Sequence, residues 1–258
     1  ATDIAGRVTE SPITTATCDD VLRAIDTHAD LRPALTVESL AYSTLQAGPE
    51  FARWLAARGP STARPDESTP LRYHRDGNTL HIEFHRPHRH NAFNDGMRAL
   101  LIEALNLAHL DPSITAVELT GSGKSFCSGG DLADFGGFDD PASAHLARTR
   151  HSPALGLFAL RQRLGPALRA HLHGQVLGSG LEMAAFCGTV SAHPDTVLGL
   201  PELSVGLVPG AGGMFSVPRR IGRHRTAYLV LSGKTLDSAT ALEWGLIDEI
   251  TQTSISLG

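Results

Sequence analysis

The sequence predicts an α/β fold in which helices cross over between parallel strands. Three stretches carry that expectation. Asn78–Phe84 alternates apolar and polar side chains, the period of a strand with one buried face. Met97, Leu100, Leu101, Ala104, Leu105 and Ala108 recur at helical spacing, and Asn94 or Asp95 is placed to cap that helix. Thr115–Thr120 reads as a second strand. Strand, helix and strand in that order imply a crossover unit.

The elements follow in order. Residues 1–70 read as a helical N-terminal extension and linker, and 71–258 as the main body. Thr17-Cys18-Asp19-Asp20 opens a short predicted helix with Leu22, Ile25 and Ala24 on its apolar face. Val37–Arg58 is a longer helical stretch broken at Gly48-Pro49, with Leu40, Ala41, Leu45, Phe51, Trp54 and Leu55 on one side. Residues 59–68 are polar and rich in helix breakers, as a linker is. Asp76-Gly77 signals a hairpin turn before the first strand named above. Asp111-Pro112 ends the helix. Leu168–Val176 reads as one further strand, Gly180–Cys187 as a short helix, and Ala227–Leu231 and Ser238–Trp244 as later helical pieces.

Composition narrows the function classes. A net charge of −5, with no basic stripe, argues against a nucleic-acid partner. No apolar run reaches the ~20 residues that span a bilayer. Ala1–Ala5 has neither a positive region nor an apolar core, so no signal peptide is expected there. Cys18, Cys127 and Cys187 are an odd, scattered set, which predicts reduced thiols in a cytoplasmic protein. The histidines, including His85, His88, His90, His171 and His173, have no thiol or acidic partners at ligand spacing, so no metal is expected.

Several motifs fail their own tests. Gly121-Ser122-Gly123-Lys124-Ser125 lacks the glycine that a phosphate loop needs at position 118, where Glu118 stands. Gly178-Ser179-Gly180 lacks the third glycine of a dinucleotide fingerprint, and its serine adjoins Gly178 directly, unlike a nucleophile elbow. Two turns remain. Lys124–Leu132 follows a strand and holds Gly129-Gly130. Leu177–Gly180 follows another strand and opens a helix, whose first N–H groups are unpaired. Converging on one carbonyl oxygen, two such turns make an oxyanion hole. Glu182 and Glu202 each sit beside a glycine-rich turn; carboxyl groups in apolar surroundings have proton affinities suited to acid–base chemistry. Either is otherwise a capping or structural carboxylate.

These blocks, in this order, resemble the crotonase, or enoyl-CoA hydratase/isomerase, superfamily. They are His85-Arg86-Pro87 to Asn91-Ala92-Phe93-Asn94, Ser125–Leu132, His173–Glu182 and Leu200–Gly213, completed by Gly222, Leu231–Lys234 and Ala241–Ile247. The resemblance covers about residues 71–250. It implies a spiral ββα core that takes acyl-CoA thioesters, with coenzyme A as part of the substrate and no separate cofactor. It implies backbone N–H groups of Gly130 and Ser179 as the oxyanion hole. It places Cys127, Ser128, Gly129, Asp131, Leu132 and Gly178 about the substrate, and Glu182 and Glu202 as catalytic acids and bases. The implied reaction is addition of water to an enoyl-CoA. A double-bond isomerase using Glu202, or an acyl-CoA-binding protein without catalysis, is the alternative.

The pattern departs from the family in three places. Serine stands at 179 where the family often has glycine, and its side chain narrows the pocket. The turn Asp131-Leu132-Ala133-Asp134 has two acids and no lysine to help a nucleotide tail; Arg86, Arg89 or Arg98 either substitutes or belongs to a solvated face. Helices after Ala241–Ile250, which in the family cover the site and build trimers or hexamers, are expected to be shortened. The N-terminal helices, with Phe51 and Trp54, then either take over that cover or form an unrelated appendage.

Overall fold

A computed structural model describes residues 2–61, 68–137 and 140–252. Four helices come first: α1 (Thr2–Glu10), α2 (Pro12–Ala24), α3 (Leu31–Gln46) and α4 (Pro49–Arg58). Strands β1 (Leu71–Asp76) and β2 (Thr79–Phe84), helix α5 (Asp95–Leu110), strand β3 (Ala116–Gly121) and helices α6 (Pro141–Arg150) and α7 (Pro153–Leu164) follow. Then come β4 (Leu168–Leu172), β5 (Gln175–Leu177), α8 (Ser179–Ala184), β6 (Thr189–Ala192) and β7 (Val197–Gly199). The last elements are α9 (Gly213–Ser232), β8 (Leu236–Asp237), α10 (Ser238–Trp244) and β9 (Glu249–Ile250).

The strands form two sheets, ordered β1-β2-β3-β4-β6-β9 and β5-β7-β8. The β1–β2 pair is the antiparallel hairpin that Asp76-Gly77 signals; β2, β3, β4, β6 and β9 are parallel. Each successive turn of the chain gives a strand to the large sheet, a segment to the second layer and then helix. After β2 that segment is Phe93, bridged to Gly130; after β3 it is Cys127, bridged to Val176 of β5; after β6 it is β7, paired with β5. The result is a ββα spiral whose second layer lines up the two glycine turns.

The helix over the first crossover is as its spacing predicts. The Asn94 side chain accepts from the Met97 N–H, and Met97, Leu101, Ala104, Leu105 and Ala108 are buried. Elsewhere the structure corrects the sequence. Leu168–Val176 is two strands in different sheets, because Gly174 turns with φ +56° where a Cβ would strike the Lys124 carbonyl. Helix α2 starts at Pro12, and Ala24 on it is exposed. Helix α3 starts at Leu31 behind Asp30, with Pro33 in its first turn. The earlier start rotates its inner face: Leu31, Ala34, Leu35, Glu38 and Leu45 are buried, and Leu40 is half exposed. The pieces at 227–231 belong to the longer α9, kinked at Gly222, and α6 and α7 have no counterpart in the sequence reading. Most of the linker, residues 62–67, lies outside the described residues.

The N-terminal helices share one apolar core with the rest, through Cys18, Leu22, Leu31, Leu35 and Phe51. Glu50 of α4 binds the Ile13 and Thr14 N–H groups at 2.8 and 2.9 Å, so one helix of the extension caps another.

The turn after β2 is fixed by Asn91, fully buried with φ +54°. Its Oδ1 accepts from the Arg86 N–H at 2.7 Å, and its Nδ2 donates to the Ser122 and Ser125 carbonyls at 2.8 and 2.7 Å. Asn91→Ala strands one donor and two acceptors in the interior. It is expected to lower stability by about 2–4 kcal/mol, read as a drop in the urea midpoint without a change in slope.

Candidate active site

The first turn of the site hangs on backbone pairing. Cys127 N–H donates to the Gln175 carbonyl and the Cys127 carbonyl accepts from Leu177 N–H, at 3.2 and 3.0 Å. This lays the segment beside β5. Three residues on, Phe93 N–H donates to the Gly129 carbonyl at 2.8 Å and Asp131 N–H to the Phe93 carbonyl at 2.9 Å. A parallel bridge of this form points the N–H of its middle residue, Gly130, to the opposite side. The Arg86–Asp131 ion pair, 3.0 Å apart and largely buried, pins the far end.

The second turn opens α8. Gly178, with φ +48°, donates its N–H to the Gly199 carbonyl, and Ser179 is the first helical residue. Its N–H therefore has no acceptor within the helix. The two turns touch: a Cβ on Gly180 would collide with the Cys127 carbonyl, and one on Gly129 would stand 3.2 Å from the Leu177 carbonyl. Gly130 and Ser179 line the same cavity, of about 180 Å³. Among the described residues neither N–H has an acceptor.

Glu182 and Glu202 line that cavity too. Glu182 lies on α8, and its Oε2 accepts from the N–H groups of Ala211 and Gly213 at 2.7 and 2.8 Å. Burial pushes its carboxyl up to about 7, against the pull of those bonds. Glu202 enters from a short 3-10 turn, Glu202–Val205, after Pro201. Its Oε1 is so close to Gly178 that a Cβ there would be 2.5 Å away, and its Oε2 is buried with no partner among the described residues. Burial first, then the Glu182 and Glu38 charges, raise it well above the ordinary carboxyl range.

A third carboxyl is the residue the sequence reading missed. Glu38 of α3 is buried, and its two oxygens accept from Gly212 and Met214 N–H at 2.8 and 2.9 Å. A glutamate at the fourth place of the series Leu31, Ala34, Leu35, Glu38 was the available signal: a charge on an apolar stripe. The extension also walls the cavity through Tyr42 and Gln46. Arg148 of α6 stacks over the Tyr42 ring at 4.4 Å and donates to Gln46 and Ser43. Trp54 meets Phe51 at 5.6 Å and Phe135 at 5.9 Å behind that wall.

Of the residues placed about the substrate, Asp131 lines the cavity, while Cys127, Ser128, Gly129, Leu132 and Gly178 do not. Cys127 is fully buried and its thiol is pushed up to about 12 by burial. Leu132 is half exposed. Of the three arginines, Arg98 lines the cavity, Arg89 is exposed, and Arg86 is buried in its ion pair rather than on a solvated face. No group of three possible metal ligands occurs among the described residues, and none of their helices is long and apolar enough to cross a membrane.

The enoyl-CoA hydratase/isomerase family profile matches residues 74–254. The chain belongs to that family. It is 31% identical over 183 residues to the 2,3-dehydroadipyl-CoA hydratase of Escherichia coli K12, covering 71% of this chain and 69% of that protein. The solved enoyl-CoA hydratase of Thermoplasma volcanium superposes with a TM-score of 0.62 at 34% identity, over 72% of this chain and 73% of that one. An enoyl-CoA hydratase/isomerase of Mycobacterium paratuberculosis gives 0.66 at 25% identity, over 74% and 76%. The crotonase fold expected from the sequence is thus the fold of this family member, whose match begins at residue 74, beyond the four N-terminal helices.

The raised Glu182 carboxyl has a consequence for stability. It holds its proton to about pH 7 when folded, against 4.5 for a free glutamate, so the folded chain binds the extra proton between those values. Stability from this group is therefore lost as pH rises across that window. Urea midpoints should show the wild type losing ground to Glu182→Gln between about pH 4.5 and 7, with no further divergence at more alkaline pH.

Proposed function

We propose that this family member hydrates the α,β-double bond of enoyl-CoA thioesters. One observation carries the reading: two buried carboxyl groups, both with raised proton affinity, share a cavity with two unpaired backbone N–H groups. The thioester oxygen accepts from Gly130 and Ser179 N–H. Each such donor stabilises the developing enolate by about 3 kcal/mol in enzymes where it has been removed. Glu202, whose hold on a proton is strengthened by burial and by the Glu182 charge, delivers that proton to the α-carbon. Glu182, ionised above about 7, takes a proton from the water that attacks the β-carbon. One proton leaves Glu202 and one arrives on Glu182; exchange between the two restores the starting state. The pairing of one acid with one base by environment is a recurrent device. Water and protons are the only co-reactants, so the step as written calls for neither metal nor redox group.

Incubation with crotonyl-CoA tests this. Glu182→Gln and Glu202→Gln should each lower kcat by about 10²–10⁴-fold with KM changed only a few-fold. Hydration insensitive to both changes would exclude the mechanism. A 3-enoyl-CoA substrate separates the nearest competitor: isomerisation that survives Glu182→Gln and is lost in Glu202→Gln identifies a double-bond isomerase. Tight thioester binding without turnover identifies a binding protein.

A further inference from the structure

We propose that Glu38, on the N-terminal extension, is a positioning residue of the reaction centre: it locks the loop that orients Glu182. The inference rests on Glu182 being the group that handles the water proton.

The geometry is an interleaving. Four consecutive N–H groups at the start of α9 alternate between two carboxyl groups: Ala211 to Glu182, Gly212 to Glu38, Gly213 to Glu182, Met214 to Glu38. Gly212 has φ +96°, a conformation that glycine adopts without strain. A Cβ on Gly213 would collide with the Glu182 side chain. The loop thus has two anchors, one on α8 and one on α3. Loss of the α3 anchor frees the Gly212 N–H, between those that hold Glu182, and the Met214 N–H just after them.

Charge couples the anchors as well as geometry. The groups that feel the Glu182 charge are Glu38 and Tyr42 on α3, Glu202 on the turn after Pro201 and the Cys127 thiol, and Arg148 on α6 acts on Glu38 and Tyr42. Arg98 of α5 is a second cation on the cavity wall, and the bonds of Arg148 to Ser39, Ser43 and Gln46 tie it to the α3 side. Burial raises Glu38 well above the ordinary range, and the Glu182 charge raises it further. Two like charges on one helix start cannot both be carried cheaply, so a proton on one favours ionisation of the other. The proton inventory of the centre is then that of three carboxyl groups, one of them outside the segment that matches the family.

The test is a carboxyl titration by ¹³C NMR on full-length protein labelled at the glutamate side-chain carboxyl, run beside the pH profile of kcat for crotonyl-CoA. In Glu38→Gln the N–H groups that hold the Glu182 carboxylate loosen, so the titration of Glu182 should move up by about one pH unit, and the acidic limb of kcat should move with it while KM stays within about twofold. A purely structural role would lower kcat and thermal stability and leave both midpoints in place, which would overturn the proposal. If Glu38→Gln does not fold, Glu182→Gln decides: loss of the Glu182 charge must move the Glu38 titration down, and an unmoved Glu38 overturns the proposal. A shift in the titrations without any hydration would leave this inference standing and remove the proposed reaction.

Discussion

The start of helix α9 holds the site together. A helix leaves its first N–H groups without partners, and here the run from Ala211 to Met214 would be left bare in the interior. Two carboxyl groups from different parts of the chain fill it, Glu182 from α8 and Glu38 from α3. Phe215 and Ser216 N–H turn back to the Gly212 carbonyl, so the whole helix start is satisfied. The positive end of the helix dipole favours both carboxylates there. Burial opposes them, and burial is the larger influence on each. The balance leaves groups that are well placed and still able to hold a proton.

That balance depends on which partners are absent from the centre. Asp131 faces the Arg86 guanidinium at 3.0 Å and serves as an anchor for the turn. Glu182 is held by backbone N–H groups, and Glu202 Oε2 has no partner among the described residues. An unsatisfied buried oxygen costs about 1–3 kcal/mol. Stability given up at Glu202 is recovered elsewhere, in the Asn91 turn and in the apolar core that runs through both halves of the chain.

The sequence made some of this plain and hid the rest for physical reasons. The hairpin, the capped helix α5 and strand β3 were legible because their periods are unmixed and their turn residues are diagnostic. Gly130, Ser179, Glu182 and Glu202 were legible as a set because glycine turns and carboxyl groups recur together in one order. The break at Gly174 was not: burial alternates along Leu168–Leu172 and resumes at Val176, so only one glycine betrays a change of sheet. Helices α6 and α7 begin with Pro141 and Pro153, a helix-start signal that weak apolar patterning concealed. Glu38 was hidden by a shift of face. Counting the helix from Val37 puts Leu40 inside; counting from Leu31 puts Glu38 inside, and a buried charge demands a partner.

The partner that Glu38 finds changes the standing of the N-terminal helices. An appendage resting on a finished domain would meet it through apolar side chains, as Leu31, Leu35 and Phe51 do. Such contacts tolerate sliding and repacking. Two hydrogen bonds accepted by one carboxyl from the start of α9 do not, because a displaced Glu38 is a buried polar group without partners. The same helix brings Tyr42 to the cavity wall, where a Cβ on Gly210 would strike its ring. Position along α3 is therefore fixed by polar geometry at Glu38 and by shape at Tyr42, four residues and one turn apart. The centre reads the presence of the extension directly, through the loop on which Glu182 rests.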